Sequence, residues 1–164
     1  TRWAWLARRW PHLALARPET PDMRALREGA MALFEQGRVR DVIEPNVALA
    51  FHPVNAAKAD LVQAYLDFVL DAGAEHLVRQ NRAVIHRPDA RAHLPRVACP
   101  VLVVCGAADQ LTPPECSAEI AALVPGAEHH LLPGSGHMLT MEQPEVVTGL
   151  LVPWLAGNGW IEMM

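Results

Sequence analysis

The feature of this chain that most constrains its fold is a continuous apolar run, Val-Leu-Val-Val-Cys, at residues 101–105. A strand with one face in water alternates apolar and polar residues, whereas an unbroken run indicates a strand buried on both faces. A second short strand is predicted at residues 127–132, after an intervening helical segment. Strand, helix and strand in this order predict a right-handed parallel crossover and therefore an α/β layer.

Proline and its neighbours mark where the helices of this layer should begin and end. Thr112, Pro113 and Glu115 predict a helix start, with Thr112 as N-cap and Glu115 completing a capping box. A last helix is predicted to begin near Pro144. Pro153 is expected to kink that helix or end it early, because its ring clashes with the carbonyl four residues back.

Residues 23–92 have helical periodicity and no strand signal. Their apolar residues recur three and four apart, as on one face of a helix. Gly37 is a candidate C-cap for the first helix, and Pro45 interrupts a short second one. A third helix is expected to end at Gly73, and a fourth to follow at about 74–85. We interpret this block as a helical subdomain separate from the sheet.

The chain divides into three predicted regions. Residues 1–22 are expected to be the remnant of a larger N-terminal core, with the end of an amphipathic helix and a short strand. Residues 23–92 are the helical block. Residues 93–164 are predicted to form the α/β core, in which one loop carries Asp109 and another carries His137.

Composition narrows the classes of partner and compartment. The net charge of −4 provides no basic surface for nucleic acid, and no apolar run approaches the roughly 18 residues of a membrane span. Cys99, Cys105 and Cys116 are an odd set without CxxC spacing, which favours a reducing, cytoplasmic compartment. Among eight histidines only His129 and His130 are close neighbours, and zinc spacing is absent, so we expect no metal and no cofactor.

Two side chains able to do acid–base chemistry follow the ends of the two predicted strands. Asp109 comes just after the first strand, and His137 just after the second. Consecutive parallel strands are usually neighbours, and ligands bind beyond their carboxyl ends. A carboxylate beside an imidazole fixes its tautomer and makes it a general base. Alone, Asp109 could be a turn residue and His137 a loop histidine; together they predict a catalytic pair.

Three segments resemble the C-terminal portion of the α/β-hydrolase superfamily, in its lid-bearing esterase, lactonase and C–C-bond hydrolase branch. They are residues 100–114 (PVLVVCGAADQLTPP), 132–137 (LPGSGH) and 142–145 (EQPE). The resemblance implies that Asp109 is the acid and His137 the base of a catalytic triad.

The same resemblance extends over roughly residues 17–155 and implies a function. It implies that the helices of residues 23–92 form a lid over the active site. It also implies a serine hydrolase of small esters, lactones or related carbonyl compounds, which reacts through an acyl-enzyme without a cofactor. Its partner in the complete enzyme would be a small-molecule substrate.

The departure from the family pattern concerns the nucleophile. The family places a serine on a G-x-S-x-G elbow before the acid, whereas Ser117 and Ser135 both follow Asp109 and lack that context. We therefore expect a fragment, roughly the C-terminal 60–65% of a hydrolase, that is inactive alone.

Other interpretations stay open. The chain could be a non-catalytic interaction module, or a pseudoenzyme that retains the lid and half of the sheet. A third alternative is that the helices form a ligand-binding bundle of their own. An uncovered strand edge would in addition favour self-association.

Overall fold

The structure is a computed structural model and describes residues 15–159. The helix end and short strand predicted near the start of the chain fall almost entirely on residues 1–14, outside the described residues. The described chain consists of a helical segment followed by a segment of alternating strands and helices. No helix in these residues is long and apolar enough to cross a membrane.

The helical segment contains five α-helices. These are α1 (Pro21–Glu35), α2 (Val39–Ile43), α3 (Val47–Ala50), α4 (Pro53–Ala56) and α5 (Ala59–Ile85), with a 3-10 turn, Glu44–Asn46, between α2 and α3. Gly37 has a φ of 76° just after α1, as expected for a helix-ending glycine. Gly73 has a φ of 79° and breaks α5, where the sequence predicted one helix to end and the next to begin.

Packing of α1 against α5 gives the helical segment its main core. The buried side chains of this cluster are Met31, Phe34, Val39, Val78 and Ile85. A second cluster contains Val47, Ala50, Phe51 and Leu66. The Phe51 ring, fully buried, meets Tyr65 edge to face with centroids 5.4 Å apart. This second cluster lies where the helices approach the strand-bearing segment.

The second segment alternates strands and helices as predicted. It contains β1 (Leu102–Gly106), α6 (Pro114–Leu123), β2 (Glu128–Leu132), α7 (Leu139–Glu142) and α8 (Pro144–Gly157). β1 and β2 pair in parallel, with Leu102 opposite Glu128 and Gly106 opposite Leu132. Their carboxyl ends are therefore level, so the loops that follow them start side by side.

Three local predictions were wrong. The first three residues of β1 are only partly buried, because the sheet of the described chain has two strands. Helix α6 begins at Pro114 with Pro113 as N-cap, and the Thr112 side chain turns to Asp109 instead. The early end predicted at Pro153 does not occur, since helix α8 continues to Gly157. Proline forfeits one backbone hydrogen bond, and the turns on both sides of it still form.

Buried charges join the two ends of the helical segment. The Glu19 side chain, 3% exposed, lies 3.2 Å from Arg27 Nε and 3.5 Å from Arg87 Nη2. These contacts are ionic and lack hydrogen-bond angles. The Ala90 N–H also donates to the Ala16 carbonyl at 2.8 Å. Glu19 therefore neutralises two cations where the chain enters and leaves the helices.

Replacing Glu19 should destabilise the chain. Glu19→Ala leaves two arginines without their shared carboxylate, and we expect it to lower the free energy of unfolding by about 3 kcal/mol. The control is Glu35→Ala, which removes an exposed pair with Arg82 and should cost less than about 1 kcal/mol. Urea unfolding of both variants measures the difference, and equal costs would contradict the assignment.

Candidate active site

Two backbone hydrogen bonds join the loops that follow β1 and β2. The Ala107 N–H donates to the Leu132 carbonyl and the Ala108 N–H to the Ser135 carbonyl, both at 2.9 Å. The loop that ends at Asp109 is thus held against the loop that leads to His137. The position of both side chains follows from the level ends of the two parallel strands.

Both oxygens of the Asp109 carboxylate accept hydrogen bonds, from the loop that follows β1 and from His137. Its Oδ1 accepts the backbone N–H groups of Leu111 and Thr112, each at 2.9 Å. Its Oδ2 accepts the Thr112 hydroxyl at 2.8 Å. The same Oδ2 lies 2.9 Å from His137 Nδ1. With its side chain 4% exposed, this carboxylate is held on both oxygens.

The pKa of Asp109 lies below its ordinary value as the net result of opposing effects. Burial raises the pKa, since it disfavours the charged form. Hydrogen bonds from His137 and from the Thr112 backbone and hydroxyl lower it, and they prevail. Asp109 is therefore ionised at neutral pH. An ionised carboxylate only accepts hydrogen bonds, so the proton between the two groups lies on His137 Nδ1.

The His137 ring presents its other nitrogen for chemistry. With Nδ1–H directed at Asp109, Nε2 carries the free lone pair. The side chain is 34% exposed, in contrast to that of Asp109. A cavity of about 160 Å³ is lined by Asp109, Thr112 and His137 together with Cys105 and Ser117. The arrangement is an imidazole beside a small cavity, oriented by a buried carboxylate, which is the geometry that a general base requires.

Two glycines allow the loops to approach this closely. A Cβ on Gly106 would lie 2.2 Å from the Gly136 carbonyl oxygen and 2.5 Å from that of Ser135. A Cβ on Gly136 would lie 2.5 Å from the Phe51 carbonyl carbon. The end of β1, the histidine loop and the segment after α3 thus stack backbone against backbone, and any side chain at either glycine would separate them.

Neither serine is arranged as a nucleophile in the described structure. The Ser117 hydroxyl donates to the Pro114 carbonyl at 2.8 Å and lies 3.0 Å from His129 Nε2. Ser135 is fully buried. Burial raises the pKa of the Cys105 thiol, which keeps it protonated, so Cys105 is a packed residue and not a nucleophile. Within residues 15–159, no cluster of three or more His, Cys, Asp or Glu side chains suits a metal.

Sequence reasoning predicted Asp109 and His137, which the structure brings together, but did not predict the contact of Thr112 with both. Thr112 was assigned to the cap of α6. The signal was present, because an aspartate often binds the backbone N–H groups two and three residues after it. That spacing places Thr112 within reach of the acid. The Thr112 hydroxyl donates to Asp109 Oδ2 and also lies 3.3 Å from His137 Nδ1.

Comparison with known proteins assigns the chain to a family. A model of the alpha/beta hydrolase family matches residues 1–150. The chain belongs to this family. RutD of Escherichia coli (strain K12 / DH10B), named as a carbamate hydrolase, is 34% identical over 84 residues. That match covers 51% of this chain and 31% of RutD.

Solved structures of α/β-hydrolases share the fold. A thermophilic esterase from Thermogutta terrifontis superposes with a TM-score of 0.80 at 26% identity, over 87% of this chain and 53% of that chain. An enol-lactonase from Burkholderia xenovorans LB400 gives 0.74 at 19% identity, over the same shares. The chain thus spans about half the length of these solved relatives. The predicted fold class, part of an α/β-hydrolase with helices, is confirmed.

The glycine contact can be tested by a single methyl group. Gly106→Ala places a Cβ against the histidine loop, and we expect a loss of about 1–3 kcal/mol from overpacking. Gly149→Ala in α8 is the control, because a Cβ there meets no atom within 4 Å. The control should be neutral or slightly stabilising. Equal melting temperatures of the two variants would contradict the stacking argument.

The lowered pKa of Asp109 predicts a pH dependence of stability. Because the folded pKa lies below the ordinary value of 3.8, the carboxylate stabilises the fold above that pH. This contribution is lost as pH falls through the lowered pKa. The stability difference between the unmodified chain and Asp109→Asn should therefore shrink as pH decreases below 3.8.

Urea unfolding at a series of pH values measures this difference. The exposed Asp71→Asn substitution serves as the control for replacing a carboxylate elsewhere. A difference for Asp109→Asn that stays constant or grows as pH falls would contradict the prediction.

Proposed function

We propose that this chain supplies the acid and the base of a serine-type hydrolase acting on small esters, lactones or related carbonyl compounds. The observation that carries the proposal is the 2.9 Å contact between His137 Nδ1 and Asp109 Oδ2. It orients a partly exposed imidazole with Nε2 available beside a cavity. The family match and the similarity to an esterase and to RutD support this substrate class.

In the proposed reaction, His137 Nε2 removes the proton of a serine hydroxyl as that oxygen attacks the carbonyl carbon. The imidazolium that forms is stabilised by the ionised Asp109, and it then protonates the leaving group. A water molecule, deprotonated by the same Nε2, hydrolyses the acyl-enzyme and returns the serine. Ser117 and Ser135 do not fit the role of nucleophile. We therefore propose that the complete enzyme carries it on an elbow outside residues 1–164.

The helices of residues 23–92 are proposed to act as the lid of this enzyme. The contact that supports the role is the packing of Phe51, at the end of α3, against Gly136 in the histidine loop. The Met138 N–H also donates to the Ala50 carbonyl at 2.9 Å. Both residues next to His137 therefore touch the helical segment, as expected for helices that border a catalytic site.

Fusion of this chain to the remaining portion of a similar enzyme tests the proposal directly. The portion of the Thermogutta terrifontis esterase that the match leaves uncovered is fused to this chain, and hydrolysis of p-nitrophenyl acetate is followed. We expect no turnover from the chain alone and measurable turnover from the fusion. His137→Ala and Asp109→Asn should each reduce kcat by about 10³-fold or more.

The control variant for the fusion is His129→Ala, on the exposed side of β2, which should retain activity. A folded fusion whose activity is indifferent to His137→Ala would overturn the proposal. The DNA upstream of Thr1 gives an independent test. An in-frame G-x-S-x-G codon series supports the hydrolase, whereas its absence supports a non-catalytic interaction module.

A further inference from the structure

A further carboxylate, that of the partly buried Glu142, contacts the histidine loop directly before His137. It is the last residue of α7, the short helix that follows His137. Its Oε1 accepts the Gly136 backbone N–H at 2.6 Å. Its Oε2 accepts the His52 backbone N–H at 2.7 Å and the Asn55 side-chain amide at 2.8 Å.

These bonds connect distant parts of the chain through one side chain. His52 and Asn55 belong to the start of α4 in the helical segment, whereas Gly136 directly precedes His137. The buried Asn55 amide also donates to the Gly134 carbonyl at 3.1 Å. Glu142 thus ties the backbone of the histidine loop to the helices, with one carboxylate oxygen directed at each.

We infer that Glu142 is a positioning residue, which makes the alignment of His137 with Asp109 depend on the contact between the histidine loop and the start of α4. The inference rests on the proposed function, in which His137 is the base. Three neutral donors converge on the carboxylate, and only a group that accepts on both oxygens satisfies them all. Release of the helical segment would free Gly136 and, with it, the imidazole.

The first test replaces the acceptor without changing its size. Glu142→Gln replaces one oxygen by an amide NH2 group that faces an N–H donor, so one of the two connections breaks. The readout is the NMR signal of the His137 Nδ1 proton in the full 164-residue chain. We expect its exchange with water to accelerate about tenfold, as for loss of one charge-assisted hydrogen bond. The exposed Glu145→Gln is the control and should leave the signal unchanged.

The second test removes a single donor from the helical side. His52 has a φ of −59° and ψ of 141°, and Phe51 before it is extended, so proline matches the backbone dihedral angles at position 52, and its Cδ displaces Glu142 Oε2 from this position. His52→Pro deletes the N–H that reaches Glu142, whereas His52→Ala deletes the same side chain and keeps that N–H. We expect faster exchange at His137 in the proline variant alone.

These variants separate positioning from stability. If Glu142→Gln and His52→Pro lower the melting temperature but leave the His137 proton signal unchanged, Glu142 is merely structural and the inference is overturned. If Glu142→Gln does not fold, the comparison of His52→Pro with His52→Ala decides.

The esterase fusion distinguishes failure of the inference from failure of the proposed function. There, Glu142→Gln should lower kcat about tenfold and leave KM within about twofold. If Glu142→Gln changes the His137 proton signal but the activity of the fusion does not depend on His137, the positioning role is supported and the proposed hydrolase function is rejected. Activity that depends on His137 but not on Glu142, with an unresponsive signal, rejects the positioning role alone.

Discussion

The direct backbone contact between Gly106 and Gly136 is the constraint on which the candidate site depends. A carbonyl oxygen occupies the space where a side chain at Gly106 would be, and Phe51 does the same for Gly136. The two strand ends can approach only because both positions lack a Cβ. Backbone groups are stiffer than side chains. This stack therefore sets the distance between Asp109 and His137 independently of the hydrogen bond between them.

Three carboxylates, two of them buried, hold the surroundings of this stack. Asp109 fixes the imidazole, and Glu142 fixes the backbone before it by accepting from three neutral donors. Glu19 instead neutralises arginines where the helical segment meets the rest of the chain. An ionised group away from water is costly unless it is hydrogen-bonded or paired with an opposite charge. Each of these carboxylates therefore specifies one arrangement of the segments around it, and the site inherits that arrangement.

Sequence reasoning succeeded where a feature depends on residues that are close together along the chain. The break at Gly73 was predicted because a positive φ is a property of one residue. The parallel strands were predicted to within one residue, since apolar runs and crossover length encode them. Thr112 was misassigned because T-P-P-E suits a capping box, yet the hydroxyl binds Asp109. Two local patterns competed for one side chain, and the buried carboxylate prevailed.

The sequence by itself determined that an acid and a histidine follow adjacent parallel strands, because consecutive parallel strands are usually neighbours whose carboxyl ends lie at the same edge of the sheet. It also determined the hydrolase family, through motifs within short segments. Only the tertiary structure decided the 2.9 Å contact between His137 and Asp109, the hydrogen bonds that Glu142 accepts, and the packing of Phe51 against Gly136. The physical reason is separation along the chain. Glu142 and His52 are 90 positions apart, and their hydrogen bond exists only once the helices and the strands have packed.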